Sequence, residues 1–462
     1  MIDCSCMFQS YKHVHFVGIG GIGMSALAKW FLHEGVRISG SDIELTAMTH
    51  DLEVRGAKIF SGHADSNLSE DVDLLIYSSA VPETNVERSL ARDRGIPDRL
   101  NFEVLGEISK SFSTIVVTGT NGKSTTTAML GLMLVEAGYD PTVLVGSLVP
   151  GFEEGNIRFG KGRFFVVEGC EYRANMMHLE PEMIVLTNIE EDHLDYYRDL
   201  EHIQETFQTF VNKLQGNGMT IYNAMDAGTK AIELKRGIGF GMGIDTDYSG
   251  RDRVTEAGVQ RVSVYRKEVS DVRMGELALR IPGEFNVMNA LAATSAAMEL
   301  GVPFETCRQA LQTFSGIWRR FERVGVWKEV DVISDYGHHP SAIAQTVQAV
   351  REFFPGRRVV LCYQPHQHDR TKKLFSEFVE ALPLADVLIV HEIYDVAGRN
   401  EDHEVSSQDL VKAIQAKDSG KKALFAKDFH EAENMLRDLV KPGDVLLIMG
   451  AGDIDTLARK LV

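Results

Sequence analysis

The chain has 462 residues, of which 44% are hydrophobic and 25% are charged, values typical of a soluble globular protein. Its 66 acidic residues outnumber its 48 basic residues, and the net charge of −18 argues against a nucleic acid or an anionic membrane as the main partner. The length predicts about three domains, the five cysteines fit a reducing cytoplasm, and no apolar run approaches the ~20 residues of a membrane span.

A glycine-rich turn is the first motif along the chain. Gly18-Ile19-Gly20-Gly21-Ile22-Gly23 follows a predicted strand over residues 13–17 and precedes a predicted helix over 24–33. A second predicted strand ends at Ser41 and Asp42, about 20 residues after the turn, which is the spacing of a ribose-binding carboxylate. On its own, this pattern predicts a Rossmann-like domain that binds a dinucleotide through its diphosphate. NAD and a nucleotide sugar remain alternative ligands, and tight helix packing is the alternative without a ligand.

The central motif is a loop with the sequence Thr118-Gly119-Thr120-Asn121-Gly122-Lys123-Ser124-Thr125. It lies between a predicted strand over residues 114–117 and a helix-prone stretch over 128–136. The glycines allow backbone amides to surround phosphate oxygens, Lys123 can reach the terminal phosphates, and Ser124 can bind Mg²⁺. Strand, loop and helix together predict a triphosphate site.

Two further predicted strands end at the same edge of the sheet as this loop. Residues 164–167 lead to Glu168, and residues 183–186 lead to a stretch that contains His193. Ser124, Glu168 and His193 are therefore candidate ligands of Mg²⁺, with Mn²⁺ as an alternative ion. A solvated strand-end carboxylate and a packing histidine are the structural alternatives.

Asn289 lies in a stretch of small residues, 283–293, that opens a predicted helix after the β-rich residues 219–280. Its amide could bind an adenine edge through two hydrogen bonds, or it could cap the helix. The sequence alone leaves both roles open.

The C-terminal part alternates strands and helices after a charged hinge at residues 316–322, which predicts another Rossmann-like domain. Two of its predicted strands lead to Asp335-Tyr336-Gly337-His338-His339-Pro340 and to the stretch 364–371, which contains His366 and Arg370. Zinc is disfavoured here, as it is at Cys4 and Cys6, because no HxxxH helix or larger cysteine set is present. An amino-acid or phosphate site fits these side chains better.

Taken in order, these motifs resemble those of the Mur ligase family over essentially the whole chain. The resemblance rests on residues 118–124, 187–195, 286–290 and 335–340, and the ordered set is far more specific than any one motif. Within the family, five stretches are most similar to the ligases that join L-alanine to UDP-N-acetylmuramate: residues 18–25, 77–80, 335–340, 364–366 with 370–371, and 449–453.

The resemblance implies an α/β fold with three domains. These are a Rossmann-like UDP-sugar-binding domain over residues 1–110, a central phosphate-loop ATPase-like domain over 111–321, and a Rossmann-like amino-acid-binding domain over 322–462. The resemblance implies that the ligand of the glycine-rich turn is UDP-N-acetylmuramate and not NAD. The implied contacts of this ligand are Gly18, Gly20, Gly21, Gly23, Met24, Ser25, Ser41, Asp42, Ser79 and Ala80.

The resemblance also implies ATP and an amino acid as ligands. The implied ATP contacts are Gly119, Thr120, Asn121, Gly122, Lys123, Ser124, Thr125 and Asn289, with Arg320 and Asp335 reaching ATP across the hinge. The implied amino-acid contacts are Tyr336, His338, His339, His366 and Arg370. Lys123, Glu168 and His193 would serve catalysis.

Three local features depart from the family pattern. Residues 206–208 lack the lysine that other branches carbamylate, Phe285 replaces a usual histidine, and His368-Asp369 replaces an aromatic residue followed by Ser or Thr. The alternatives are a recycling ligase that adds a tripeptide, an NAD-dependent oxidoreductase and a nucleotide-sugar sensor. We expect a cytoplasmic monomer or homodimer that does not insert into membranes.

Overall fold

The computed structural model describes residues 10–194, 196–256, 258–395 and 404–462, so Cys4 and Cys6 lie outside the described residues. The chain divides into two compact units: residues 1–251, 263–277 and 288–313 form one, and residues 252–262, 278–287 and 314–462 form the other. Across the described ranges, no helix is both long and apolar enough to cross a membrane.

The first sheet carries the glycine-rich turn. Its elements are β1 (His13–Val17), α1 (Ile22–His33), β2 (Arg37–Asp42), α2 (Ala47–Val54), β3 (Lys58–Ser61), β4 (Leu74–Tyr77), α3 (Val86–Asp93), β5 (Asp98–Leu100) and α4 (Asn101–Ser109). The strands are parallel in the order β3-β2-β1-β4-β5. The order reverses between β1 and β4, which is where Rossmann-like sheets bind ligands.

The second sheet carries the central loop over residues 118–125, called the phosphate loop below. Its elements are β6 (Ser113–Thr118), α5 (Lys123–Glu136), β7 (Thr142–Leu144), β8 (Ile157–Arg158), β9 (Phe164–Gly169), β10 (Met183–Leu186), α6 (Leu200–Val211), β11 (Met219–Asn223), α7 (Ala227–Lys230), β12 (Gly237–Met242), β13 (Tyr248–Glu256), β14 (Val259–Lys267), β15 (Asp271–Leu279), α8 (Glu284–Glu299) and α9 (Phe304–Thr313). The order is β15-β14-β13-β12-β11-β10-β6-β9-β7-β8. Since β9 and β10 both pair in parallel with β6, all three strands end at one edge.

The third sheet lies in the second unit. Its elements are β16 (Glu322–Trp327), β17 (Val330–Asp335), α10 (Pro340–Phe353), β18 (Val359–Tyr363), α11 (His368–Lys373), α12 (Phe375–Ala381), β19 (Val387–His391), α13 (Ser407–Lys417), β20 (Lys422–Ala426), α14 (Phe429–Leu439), β21 (Val445–Met449) and α15 (Asp455–Leu461). The order is β16-β17-β21-β18-β19-β20, with only the β16–β17 pair antiparallel among the pairs described. Together with the other two sheets, it confirms the predicted three-domain α/β architecture.

Helix α1 packs against the second sheet within the first unit. The Trp30 ring meets Phe112 and Phe165 edge-on, with ring centroids 6.1 and 5.9 Å away. Trp30 is 4% exposed and Phe165 is fully buried, so each aromatic pair adds about 0.5–1.5 kcal/mol beyond its burial. The helix that follows the glycine-rich turn is thereby seated on β9, the strand that carries Glu168.

Candidate active site

The phosphate loop occupies the turn between β6 and α5. Gly122 has a φ of +83°, and a Cβ at this position would overlap the side-chain oxygen of Asn289. Only glycine adopts this conformation without strain and leaves room for the amide. Asn289 lies inside α8 and not at its first residue, so the structure brings it to the loop and does not support a capping role.

The end of β10 fixes the backbone of the loop. The Asn188 carbonyl and side-chain oxygens accept from the amides of Thr120 and Asn121, both at 2.9 Å, and the Thr187 hydroxyl donates to the Asn121 carbonyl at 2.6 Å. The first amides of α5, which starts at Lys123, have no acceptor within their own helix. They are therefore suited to phosphate oxygens.

Lys123 lies folded into the loop. Its ammonium donates to the carbonyls of Gly119 and Thr120 at 2.7 and 2.9 Å, and its Nζ lies 2.9 Å from Glu171 Oε2. Burial disfavours the charged ammonium, but the adjacent Glu171 carboxylate outweighs burial and raises the pKa of Lys123. The lysine is therefore a positive charge held within the loop.

Glu171 joins Lys123 to His193 and was not predicted from the sequence. Its Oε1 lies 3.4 Å from His193 Nε2, and its side chain is 6% exposed. Burial opposes ionisation, but Lys123 and His193 overcome it and lower the pKa of Glu171. The signal in the sequence was a second carboxylate just after β9, in Glu168-Gly169-Cys170-Glu171.

Glu168 forms a second polar pair with Ser124. The Ser124 hydroxyl donates to Glu168 Oε2 at 3.0 Å, and the Gly146 amide donates to Oε1. A hydroxyl and a carboxylate are the hard oxygen ligands that Mg²⁺ prefers, with phosphate and water completing its shell. In the described part of the chain, no group of three His, Cys, Asp or Glu side chains is arranged to hold a metal. The Ser124–Glu168 pair fits Mg²⁺ shared with a nucleotide. His193 contacts Glu171 and Asp192, so its role as a third Mg²⁺ ligand stays a prediction.

The glycine-rich turn is braced by the end of β2. The amides of Gly18 and Ile19 donate to the Ser41 carbonyl at 2.8 and 3.1 Å, and the Gly20 amide donates to Asp42 Oδ2 at 2.8 Å. The structure therefore brings Asp42 to the turn, and its role as a ribose-binding carboxylate stays a prediction. The hydroxyl of Ser41 donates instead to the buried Glu87.

The other predicted UDP-sugar contacts have different surroundings. Gly21 precedes α1 and Gly23 has open space where a Cβ would stand, whereas Met24 belongs to the hydrophobic core. The Ser25 hydroxyl donates to the Ile22 carbonyl at 3.0 Å. On the facing loop after β4, the Ser79 carbonyl accepts from Arg173 at 3.0 Å and Ala80 is exposed.

The second unit gathers most of the predicted amino-acid contacts. The His338 ring lies between Tyr336 and His366, with ring centroids 5.6 and 6.0 Å away, and Arg370 Nη1 lies 3.5 Å from His366 Nδ1. Tyr394, which was not predicted from the sequence, stacks on His366 with ring centroids 5.5 Å apart and an interplanar angle of 10°. Its signal was an aromatic residue just beyond the end of β19.

The remaining predicted residues of this unit have clear structural contacts. The Asp335 carboxylate accepts from the amides of Gly337 and Phe321 at 2.7 and 2.8 Å, and burial raises its pKa despite the nearby Arg320. Arg320 lies over the Tyr336 ring. His339 is the N-cap residue of α10, and its side chain accepts from the Ser341 amide.

Family models cover all three sheets of the chain. The Mur ligase family catalytic domain matches residues 13–113, the Mur ligase middle domain matches 117–297, and the glutamate ligase domain of Mur ligases matches 319–452. A UDP-N-acetylmuramate–L-alanine ligase of Persephonella marina is 38% identical, over 97% of this chain and 96% of that one. The chain belongs to the Mur ligase family. The predicted family is thereby confirmed.

Other Mur ligases extend this similarity. A UDP-N-acetylmuramate–L-alanine ligase of Geotalea uraniireducens is 37% identical and covers 98% of this chain and 99% of its own. The crystal structure of the UDP-N-acetylmuramate–alanine ligase MurC of Thermotoga maritima superposes with a TM-score of 0.85 at 31% identity, over 97% of this chain and 98% of that one. A murein peptide ligase of Psychrobacter arcticus shares the fold, with a TM-score of 0.74 at 23% identity over 97% of this chain and 98% of that one.

Proposed function

We propose that this Mur ligase joins L-alanine to UDP-N-acetylmuramate with conversion of ATP to ADP and phosphate, in the cytoplasmic synthesis of peptidoglycan precursors. The observation that carries the proposal is the buried ammonium of Lys123 in the phosphate loop, beside the Ser124–Glu168 pair. Full-length similarity to relatives named for this reaction supports the choice of substrates.

The reaction needs an activated carboxyl group, because a free carboxylate is a poor acylating agent. The lactyl carboxylate of UDP-N-acetylmuramate attacks the γ-phosphorus of ATP, which forms an acyl phosphate and releases ADP. The amino group of L-alanine then attacks the acyl carbon, forms the amide bond and expels phosphate. Phosphoryl transfer depends mainly on positioning and charge neutralisation, which is the role that we assign to Lys123.

We assign Mg²⁺ to Ser124 and Glu168, together with phosphate oxygens of the nucleotide. When bound, the ion would neutralise charge on the phosphates. His193 and Glu171 would hold Lys123 in the charged, oriented state that phosphoryl transfer requires. The predicted roles of Asn289, Arg320 and Asp335 in ATP binding are part of the proposal.

For the second step, we assign amino-acid orientation to the predicted residues of the second unit. Tyr336, His338, His366 and Arg370 form the cluster described above, and these groups suit an amino-acid carboxylate. For His339 the capping geometry favours a structural role over ligand contact. Monomer and homodimer stay as alternative predictions.

The proposal is tested by substitution of the phosphate-loop lysine. Lys123→Ala should lower the rate of ADP formation with UDP-N-acetylmuramate and L-alanine by about 10³-fold or more, since charge stabilisation of the transferred phosphoryl group is lost. Lys161→Ala removes an exposed lysine of the same domain and should leave the rate unchanged. Equal turnover by wild type and Lys123→Ala would refute the assignment of the loop.

The recycling ligase that adds a tripeptide is the nearest alternative function. A competition assay that offers L-alanine and the tripeptide together separates the two reactions. We expect the L-alanine product to dominate, and dominance of the tripeptide product would reverse the assignment. Tight NADH binding without ADP formation would instead support the oxidoreductase alternative.

A further inference from the structure

A buried lysine and a buried asparagine connect the glycine-rich turn with the central domain. Lys29 lies on α1 and is 3% exposed, and Asn156 precedes β8 and is fully buried. Lys29 Nζ donates to Asn156 Oδ1 at 3.1 Å and to the Glu154 carbonyl at 2.7 Å, and it lies 2.8 Å from Asp51 Oδ2. Three acceptors use the three N–H groups of the ammonium, so the lysine is fully satisfied inside the protein.

Lys29 also fixes which way the Asn156 amide faces. An ammonium only donates, so the carbonyl oxygen of the amide must face Lys29 and the NH₂ group must face away from it. That NH₂ group donates to the Ile22 carbonyl at 2.7 Å and to the Ser25 hydroxyl at 2.9 Å. Both acceptors lie at the start of α1, immediately beside the glycine-rich turn.

The other end of this connection reaches the phosphate loop. The backbone carbonyl of Asn156 accepts from the backbone amide of Val145 at 2.9 Å. The next backbone amide, that of Gly146, donates to Glu168. A Cβ at Gly146 would lie only 3.0 Å from a Glu168 carboxylate oxygen, so the backbone approaches the carboxylate closely. Glu168 in turn accepts from Ser124 at 3.0 Å.

We propose that Asn156, oriented by Lys29, is a positioning residue that sets the separation between the glycine-rich turn and the Ser124–Glu168 pair. The inference rests on the proposed function, in which the turn binds the UDP moiety and the pair lies at the phosphates of ATP. The attacking carboxylate must meet the γ-phosphorus in line, and a misplacement of about 1 Å can cost about 10²-fold in rate. A hydrogen-bonded path of buried groups supplies this fixed separation.

The decisive variant is Asn156→Asp, made in the full chain. It keeps the size of the side chain and its contact with Lys29, but it replaces the two donated hydrogen bonds with a carboxylate oxygen against the Ile22 carbonyl. Arg55→Met is the matched control, because Arg55 pairs with Glu154 and Asp51 on the same two segments. Thermal unfolding of each variant shows whether it is folded.

The measurements separate positioning from binding. Affinities for UDP-N-acetylmuramate alone and for ADP with Mg²⁺ alone come from calorimetry, and kcat comes from ADP formation with all three substrates saturating. For Asn156→Asp we expect both affinities to stay within about threefold of wild type and kcat to fall by about 10²-fold. Arg55→Met should keep kcat.

Two results would overturn the inference. One is a wild-type kcat in Asn156→Asp, and the other is a loss confined to UDP-N-acetylmuramate affinity with kcat unchanged, which would make Asn156 part of the binding site. If Asn156→Asp does not fold, Lys29→Met tests the same path, and an unchanged kcat there also overturns it. A wild type that forms no ADP with these substrates would instead refute the proposed function.

Discussion

Glu171 holds Lys123 inside the phosphate loop, with Oε2 of the carboxylate 2.9 Å from Nζ of the ammonium. The same ammonium donates to two loop carbonyls, and the same carboxylate contacts His193. A nucleotide phosphate that binds at this loop must therefore share the lysine with Glu171. This competition makes the behaviour of Glu171 variants predictable.

Glu171→Gln should weaken folding and tighten nucleotide binding. The buried ammonium loses its partner, which we expect to lower the free energy of unfolding by about 2–3 kcal/mol. The Glu171 carboxylate then no longer competes with the phosphate of ADP for the Lys123 ammonium, so the Kd for ADP with Mg²⁺ should fall about fivefold. Urea unfolding and calorimetry measure both effects. Glu190→Gln is the control, because Glu190 contacts Asn121 of the same loop. Weaker ADP binding by Glu171→Gln than by wild type would contradict this prediction.

Glu168→Gln should raise the Mg²⁺ requirement of the reaction. Loss of an outer-shell partner of a metal ligand commonly costs about 10–100-fold in metal affinity, and loss of a ligand should cost at least as much. The half-saturating Mg²⁺ concentration for ADP formation should therefore rise by at least about tenfold. Glu136→Gln, at the exposed end of α5, serves as the control. An unchanged Mg²⁺ dependence would remove Glu168 from the metal site.

Tyr394→Ala should weaken amino-acid binding and leave ATP binding intact. The ring of Tyr394 stacks on His366, and its loss frees the imidazole to rotate away from Arg370. We expect the KM for L-alanine to rise about tenfold, because a poorly oriented imidazole would cost about 1.4 kcal/mol of binding free energy. Tyr394→Phe keeps the stacked ring and should resemble wild type. Equal KM values for wild type and Tyr394→Ala would show that the stack lies outside the amino-acid site.

Glu87→Gln should reveal an acid-dependent contribution to stability in the first domain. Burial opposes ionisation of Glu87, but hydrogen bonds from His15, His63 and Ser41 outweigh it and lower its pKa. A carboxyl group with a lowered pKa stabilises the fold above its unfolded pKa of about 4.3, and the contribution is lost as the pH falls. Wild type should exceed Glu87→Gln by about 2–4 kcal/mol at pH 6, and the gap should shrink between pH 5 and pH 3.

Urea unfolding at several pH values measures this difference. The exposed Glu70 gives a control variant, Glu70→Gln, that should track wild type at every pH. A gap between wild type and Glu87→Gln that stays constant from pH 6 to pH 3 would contradict the predicted linkage.

Strands buried on both faces were predictable from the sequence because most of their residues are apolar, although His13 and His15 interrupt the apolar run of β1. The predicted strands 13–17 and 183–186 coincide with β1 and β10. Helix α5 starts at Lys123, ahead of the helix-prone stretch, because the phosphate loop leads directly into its first turn and outweighs the low helix propensity of Ser and Thr. The antiparallel β16 was missed, since it begins where a charged hinge was predicted. The domain boundaries at residues 110 and 321 stay predictions.

Site residues were predictable where a motif fixes their spacing. Lys123, Ser124 and Glu168 come from such motifs, and the structure brings them to one edge of the sheet. Glu171 and Asn156 could not be found in this way. Glu171 stands just after β9, but its pairing with Lys123, like that of Asn156 with Lys29, joins positions far apart in the chain and follows from no local pattern.

The most direct test of the central claim is the identification of the product. Purified full chain is incubated with ATP, Mg²⁺, UDP-N-acetylmuramate and L-alanine, and the UDP-linked product is identified by mass spectrometry while ADP and phosphate are quantified. The account predicts UDP-N-acetylmuramoyl-L-alanine with ADP and phosphate in equal amounts, and none of these products when UDP-N-acetylmuramate is omitted. ADP formation without an amide product, or a product only with the tripeptide, would contradict it.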